Sequence, residues 1–428
     1  MAPAVCAHLA PAPPPSYHRT VATALHLDAL TLIIRLHLLD MCRLAVHLAQ
    51  HQCPPPLPAG PGGAPRLYSE ESLLLLALLL ALLRTLWRLS YQEAHGWLVA
   101  WPALALACGL PLGPHGCPRV PSKAQQSKRL RAAGAPPSEL LFVLLVRTGL
   151  WMGLTRGRDL IIDSAPLLAW RRADPDAALG HAPAHHPRPL LLGYRVHTLL
   201  CRGTGLPLLF RLSTARAHDA PFARPLLELA VRLFALRPRV IRLDAGYWGL
   251  RLIAWIHSTL GAVVVIPWNP KRQKRRDGLP PTWTAAELGK RTSIERFFGR
   301  VLIFFRLQRP PVFGWSAVEM RVALTYAALW VIALAAWQAG RPAFIRSPRL
   351  VLAHVWGGGV MKPPLWSGDG GVLDFTQQRE TGHHSTWRLL SLSHAANGRR
   401  MPAESHEADA LGSKSFPRRA CGKSMEGR

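Results

Sequence analysis

The chain reads as an α/β protein: a mixed sheet flanked by helices, preceded by a helical amino-terminal region. Three observations predict this class. Up to about residue 150 the apolar residues fall at helical spacing or in runs too long for strands. From about Arg158 the texture changes to short apolar runs divided by turn signals. Beyond those, helical and strand patterns alternate, which calls for a sheet with helices packed against it.

The elements follow in order. Residues 19–49 place Leu27, Leu30, Ile34 and Leu38 at helical spacing, giving one or two apolar helices. Residues 54–65, rich in Pro and Gly, can propagate neither helix nor strand and form a linker. Ser69 is the expected cap of the next helix, with Glu70 and Glu71 complementing its dipole. Ser90 and Glu93 have capping-box spacing, so a second helix begins there. A Gly/Pro-rich stretch runs from Gly109 to Pro121, and another helix is expected over Ser138 to Thr148. Strands are predicted at Leu160–Asp163, Leu190–Cys201 and Leu206–Leu212, the last two joined by a turn through Gly203 and Gly205. An amphipathic helix over 220–236, a strand Val240–Leu243, a helix over 248–259 and a strand Ala262–Pro267 complete the alternation. A basic loop and a helix from about Ser293 follow. This order matches the ribonuclease-H-like fold.

Composition narrows the partners. The 428 residues carry 52 Lys and Arg against 24 Asp and Glu, a net charge of +28. Such an excess favours a polyanion, because each phosphate neutralised by Lys or Arg releases a condensed counterion. Nucleic acid is the leading candidate and an anionic membrane surface the second; a genome biased toward Arg codons would also raise the charge. Seven scattered cysteines without a Cys-x-x-Cys pair argue against a disulfide framework and a zinc ribbon. No basic segment followed by an apolar one marks a secretory signal, so a reducing cytoplasm is expected. Leu73–Leu83 and Val322–Trp337 are apolar runs, yet both fall short of the roughly 20 residues a bilayer core demands. Buried core helices explain both more economically.

The chemistry rests on three acids. Asp163, Asp244 and Glu295 each stand at the edge of an apolar element, far apart in sequence. Phosphodiester cleavage needs an activated oxygen nucleophile and stabilisation of the charge that builds on phosphorus. Two Mg²⁺ or Mn²⁺ ions about 3.5–4 Å apart supply both, and such hard ions need only a few carboxylates to hold them. Competing roles exist: Asp244 can cap the helix behind it, and Glu295 can pair with Arg291 one turn away. Lys271, Arg272, Lys274, Arg275 and Arg276 put five cations just before the last of these helices, suited to DNA backbone contact or to a solvated loop. Tyr194, Tyr247 and Trp248 are candidates for stacking on a displaced base or for the core.

Over residues 90–340 the chain resembles the insertion-sequence transposases of the DDE class. Asp163 followed by Ser-Ala-Pro resembles their first catalytic Asp. Gly193-Tyr194-Arg195-Val196-His197 resembles their Gly-Tyr-Lys-x-His strand. Leu206-Pro207 followed by His218-Asp219 is similar to their third strand and the His-Asp at its exit. Asp244-Ala245-Gly246-Tyr247 resembles their Asp-x-Gly-Tyr segment. Arg291 and Glu295 match the Arg and Glu of their Tyr-x2-Arg-x3-Glu-x6-Lys signature, and Ser90-Tyr91-x-Glu93 a helix start upstream. The signature's Tyr and Lys positions hold Leu288 and Leu302; Lys290 and Arg300 are the nearby cations available to replace the charge. Only 50 residues separate Asp244 from Glu295, leaving no room for the large β insertion some relatives carry.

The resemblance implies a DNA transposase that cuts and joins DNA at the ends of an insertion element, with Asp163, Asp244 and Glu295 holding two metal ions. Its implied partners are terminal inverted repeats and target DNA, bound as a homo-oligomer without a membrane, with Arg195, Lys290, Arg291 and the basic loop on the DNA. The implied organisation is an arm and linker over 1–68, a helical region over 69–155 that can bind DNA ends, a catalytic domain over 156–343, and a poorly ordered basic tail over 344–428. Two rivals remain: a decayed derivative that only binds DNA, and a basic membrane-associated protein.

Overall fold

The computed structural model describes residues 33, 36–51, 67–113, 116–182, 189–267, 287 and 289–347. Leu27, Leu30, Ile34, the Pro/Gly linker, His185, His186, the basic loop from Lys271 to Arg276, Leu288 and residues beyond 347 lie outside the described residues. The helical region comprises α1 (Leu38–Gln50), α2 (Glu70–Trp87), α3 (Tyr91–Ala100), α4 (Pro102–Ala107), α5 (Lys123–Ala133) and α6 (Pro136–Trp151). Ser69 caps α2 by accepting from the Ser72 amide at 3.0 Å, and Ser90 and Glu93 form the reciprocal capping box of α3. Helix α5 is an addition to the sequence reading. Its signal is a second capping box, Ser122 with Gln125, obscured by the Pro/Gly stretch before it and by the lack of an apolar stripe.

The sheet is built from β1 (Asp159–Leu168), β2 (Ala178–His181), β3 (Leu190–Cys201), β4 (Leu206–Thr214), then α7 (Ala220–Phe234), β5 (Val240–Leu243), α8 (Leu250–Leu260) and β6 (Val263–Val265). Helices α9 (Thr292–Gly299) and α10 (Trp315–Gln338) follow, with a π turn at Arg300–Phe304 between them. Strand β3 lies antiparallel to β1 and to β4, whereas β5 and β6 run parallel to β1. The path β4-β3-β1-β5-β6, with β2 as an extra strand beside the start of β3, is the mixed ribonuclease-H-like sheet. Strand β1 is longer than the sequence suggested. It continues through Pro166 to Leu168, so Asp163 sits in mid-strand rather than at the strand's end. Antiparallel pairing with β3 persists past the short β5, and that extends β1 beyond its apolar half.

Both faces of the sheet are covered. His197 on β3 stacks on Phe222 of α7 at 4.1 Å, while its neighbour Thr198 bonds Tyr326 of α10 at 2.6 Å. Successive strand residues point to opposite faces, so α7 and α10 sandwich the sheet. Helix α10 is 24 residues long and apolar enough to cross a bilayer by length and composition, which corrects the sixteen-residue estimate. It is instead the core helix, packed on α6, α2 and β4. Its Trp330 is fully buried and donates Nε1–H to the Pro207 carbonyl at 2.6 Å. Gly149 of α6 makes this crossing possible: a Cβ there would lie 2.0 Å from the Trp330 ring.

The amino end of α10 is held by acids from the loop after β1. Asp174 accepts from the Gly314 amide at 3.2 Å and from the Tyr194 hydroxyl at 2.7 Å, while Asp176 accepts from the Trp315 amide at 2.7 Å. Four residues placed in the tail by sequence, Phe344 to Ser347, are part of the fold: Phe344 ends a 3-10 turn, Ile345 is buried and Arg346 donates to the Thr204 carbonyl at 2.9 Å. The β3–β4 turn presents the Gly203 and Thr204 carbonyls to Arg346, and these bonds tie residues 345–347 to the sheet.

Two predictions follow from this packing. Gly149→Ala should destabilise the fold by about 1–3 kcal/mol, the usual cost of overpacking a core, read by urea denaturation. Glu139 of α6 meets Glu319 of α10 near Arg211, and burial together with the second acid pushes the Glu139 carboxyl up to about 8. A carboxyl raised in the folded state contributes stability that is present below the ordinary carboxylate range and is lost as pH climbs through that value. Replacing it, Glu139→Gln, should flatten the decline in melting temperature between pH 5 and 8.

Candidate active site

Backbone register brings the first two acids together. On the parallel pair β1–β5, Ile162 is aligned with Leu243, so Asp163 and Asp244 come next on adjacent strands, about 4.8 Å apart in the pairing direction. Strand β5 ends there because Asp244 leads into a 3-10 turn, Ala245–Tyr247. The Asp244 side chain makes no capping bond to that turn, so the competing role as a helix cap is not the one it plays.

Two motif residues lock this corner. Tyr247 is fully buried, and its hydroxyl lies 3.1 Å from Nδ1 of His197. The other ring nitrogen of His197 is 2.8 Å from Ser213 on β4. Burial, helped by Arg195, pushes His197 down to about 3, so the imidazole is neutral and structural. Tyr194 and Trp248 are buried as well, which places all three candidate stacking aromatics in the core.

The third acid arrives on α9. Ile294, Phe297 and Phe298 bury one side of this helix, and Phe297 meets Tyr326 of α10 at 5.4 Å between ring centroids. That docking leaves Glu295 exposed and turns Arg291 toward the strand ends. The Arg291 guanidinium is 2.6 Å from Asp163, 3.5 Å from Asp244 and 3.7 Å from Glu295. All three sequence-predicted acids therefore converge on one cation. Burial pushes the Asp163 carboxyl up to about 7; Arg291 pulls it down, while Asp244 and Asp219 push it further up.

Asp219 is the residue that the carboxylate triad omits, although the His-Asp pair at the exit of β4 pointed to it. It accepts from Ser164 Oγ at 2.9 Å and pairs with Arg195 at 3.2 Å. A Cβ on Gly246 would come within 3.2 Å of Asp219, so a larger residue at this position would press on that carboxylate. Arg195, expected on DNA, is thus engaged inside the site. Lys290 is half-exposed and paired with Glu287, which also holds the buried Arg242 at 2.8 Å. Leu302, at the signature's Lys position, lies in the π turn.

Four carboxylates thus face two guanidinium groups, a local excess of negative charge within a strongly basic chain. The donor set is all carboxylate oxygen, which suits a hard divalent ion. The spacing is that of acids gathered around Arg291: among the described residues no three His, Cys, Asp or Glu side chains are close enough to hold one metal ion.

Residues 156–331 match the family model described as a transposase DDE domain. No curated protein matches the chain in sequence. A solved structure described as a piggyBac transposase synaptic complex with hairpin DNA aligns with a TM-score of 0.39 and 11% identity, covering 76% of this chain and 79% of that chain.

The contacts predict two distinct losses. Tyr247→Phe removes the bond to His197 and should cost about 1–2 kcal/mol of stability, the range for a buried group left unpaired, measured by chemical denaturation. Arg291→Ala removes the cation from Asp163, whose carboxyl should then titrate above about 7, followed by NMR of carboxyl-labelled aspartate.

Proposed function

Because residues 156–331 are a DDE-class transposase domain, we propose that the chain cleaves DNA at the ends of an insertion element and joins those ends to target DNA. The observation that carries this reading is the convergence of Asp163, Asp244 and Glu295 on a single cation at the edge of β1 and β5. If Arg291 gave way, Asp163, Asp244 and Glu295 would be the residues to hold divalent ions, Mg²⁺ or Mn²⁺, which would supply the Lewis acidity that such displacements need. In the first step a water oxygen attacks phosphorus, the bond to the 3′ oxygen breaks, and a 3′-hydroxyl and a 5′-phosphate result. In the second, that hydroxyl attacks a target phosphodiester and displaces its 3′ oxygen.

The chain's own residues divide the work. Asp163, rigid in mid-strand, and Asp244, at the open end of β5, form the fixed half of the site. Glu295 is carried on a separate helix and closes it. Arg291 balances the three acids and is the cation placed to meet a substrate phosphate brought to them. Asp219, through Ser164 and Arg195, braces the strand that bears Asp163. The proposal extends to a homo-oligomer assembled on paired DNA ends in the cytoplasm, associated with the nucleoid.

Two observations favour a second reading, a derivative that binds DNA without cutting it: Arg291 lies among the three acids and Lys290 is paired with Glu287. A nicking assay separates the two. The parent with Mg²⁺ and labelled DNA carrying the flanking inverted repeats should nick, and Asp244→Ala should reduce nicking at least 100-fold, on the order of losing about 2.7 kcal/mol of transition-state stabilisation, with binding retained. Binding without nicking by the parent would establish the second reading.

A further inference from the structure

Outside the carboxylate site, four arginines gather where α2 turns into α3. The two helices meet at 119°, and Arg88 at the bend lies against Phe304 in the turn after α9. The Arg84 guanidinium carbon lies 3.3 Å from the centre of the Tyr91 ring, and that of Arg88 lies 5.5 Å from the centre of the Phe304 ring. Arg306 stands close enough to Arg88 to pull its pKa down, after burial has done so first. Buried Arg321 closes the group from α10, donating to Thr85 at 2.8 Å and to the Phe305 carbonyl at 3.2 Å. Burial first, and then Arg84, pull the Arg321 pKa down, and the Nε of each of the two is buried without a partner.

Among the described residues no carboxylate lies within ion-pair reach of any of the four. The nearby Glu93 is engaged at the Ser90 amide at 2.6 Å. The backbone adds a second signal. Arg88 and Arg306 both adopt the left-handed conformation, with φ of 57° and 54°. Arg88 ends α2 at the position where glycine is the favoured residue. The chain therefore accepts strain and like-charge repulsion at one place, a pattern that marks binding sites.

We propose that Arg84, Arg88 and Arg306, platformed on Tyr91 and Phe304, form a binding site for the phosphodiester backbone of DNA, distinct from the carboxylate site. The inference rests on the DNA reading above and gives it a second contact. Planar guanidinium groups held flat on aromatic rings present their N–H forks to phosphate oxygens with little ordering left to do. Phe304 follows Glu295 by nine residues on a nearly continuous helical path, about 13 Å at the rise of a helix. A duplex engaged at the acids reaches the arginines within about half a turn.

The test uses glycine at the two strained positions. Arg88→Gly combined with Arg306→Gly relieves the left-handed backbone, so this full-length variant should melt no lower than the parent. Its binding to a labelled duplex, followed by anisotropy across a NaCl series, should weaken about tenfold at low salt and lose about 1.8 from the salt slope, two phosphate contacts at about 0.9 each. A control with the same charge loss on exposed helix surfaces, Arg232→Ala with Arg251→Ala, should keep the parental slope. A double-glycine variant with the parental slope, or a control that loses as much, overturns the site while leaving the DNA reading intact. A parent without affinity for the duplex overturns both. If the glycine variant melts lower, Arg88→Gln with Arg306→Gln gives the same readout, and an unchanged slope there also overturns the site.

Discussion

Two aspartates on neighbouring parallel strands repel each other, and much of this structure serves to keep them side by side. The register of β1 against β5 is fixed by apolar residues buried on both faces, Leu160 to Ile162 on one strand and Ile241 and Leu243 on the other. A slip of one residue would exchange the side chains of the two faces and unseat their packing against the helices on either side. The hydrophobic core thus fixes the acids' position, and the acids do not contribute to their own placement. Arg291 then offsets the repulsion from a helix that has to be docked by its opposite side before the cation can reach them.

Around that pair, the motif residues act mostly as fasteners. His197 is a neutral, buried link among β3, β4 and the corner after Asp244, and Tyr194 ties β3 to the acids that hold the start of α10. Several polar side chains of the sequence motifs thus hold the scaffold, and the acids are left at its rim. A buried polar group of this kind is costly unless paired, which is why these residues come as reciprocal sets and not singly.

Much of this was legible in the chain. The strand order, the N-cap at Ser69, the capping box at Ser90, and the three acids all follow from local patterns that packing reinforces. The length of β1 was not, because pairing with β3 carries it through Pro166 and no local signal marks that extension. Helix α5 was hidden by its polarity: it has neither an apolar stripe nor an acid in its first turn. The place of Arg291 was open between Glu295 and a phosphate, since one turn of helix permits both. Only the tertiary approach of α9 to the strand ends brings it within reach of all three acids. Asp219 was visible as part of a pair, yet its role depends on Ser164 and Arg195, which the pairing of β1 with β3 brings together.

The central helix α10 has a consequence for how the chain is made. Its partners α2, α6 and β4 all precede it in sequence, so it leaves the ribosome with its entire berth already synthesised. Helix α2 has the opposite history. The side it shows to α10 waits for more than half the chain, on the order of tens of seconds at ordinary rates of synthesis. For that interval a row of leucines stands open to solvent, to chaperones or to another nascent copy. The span most in need of protection is therefore the early helix, although the late one looks more like a membrane segment.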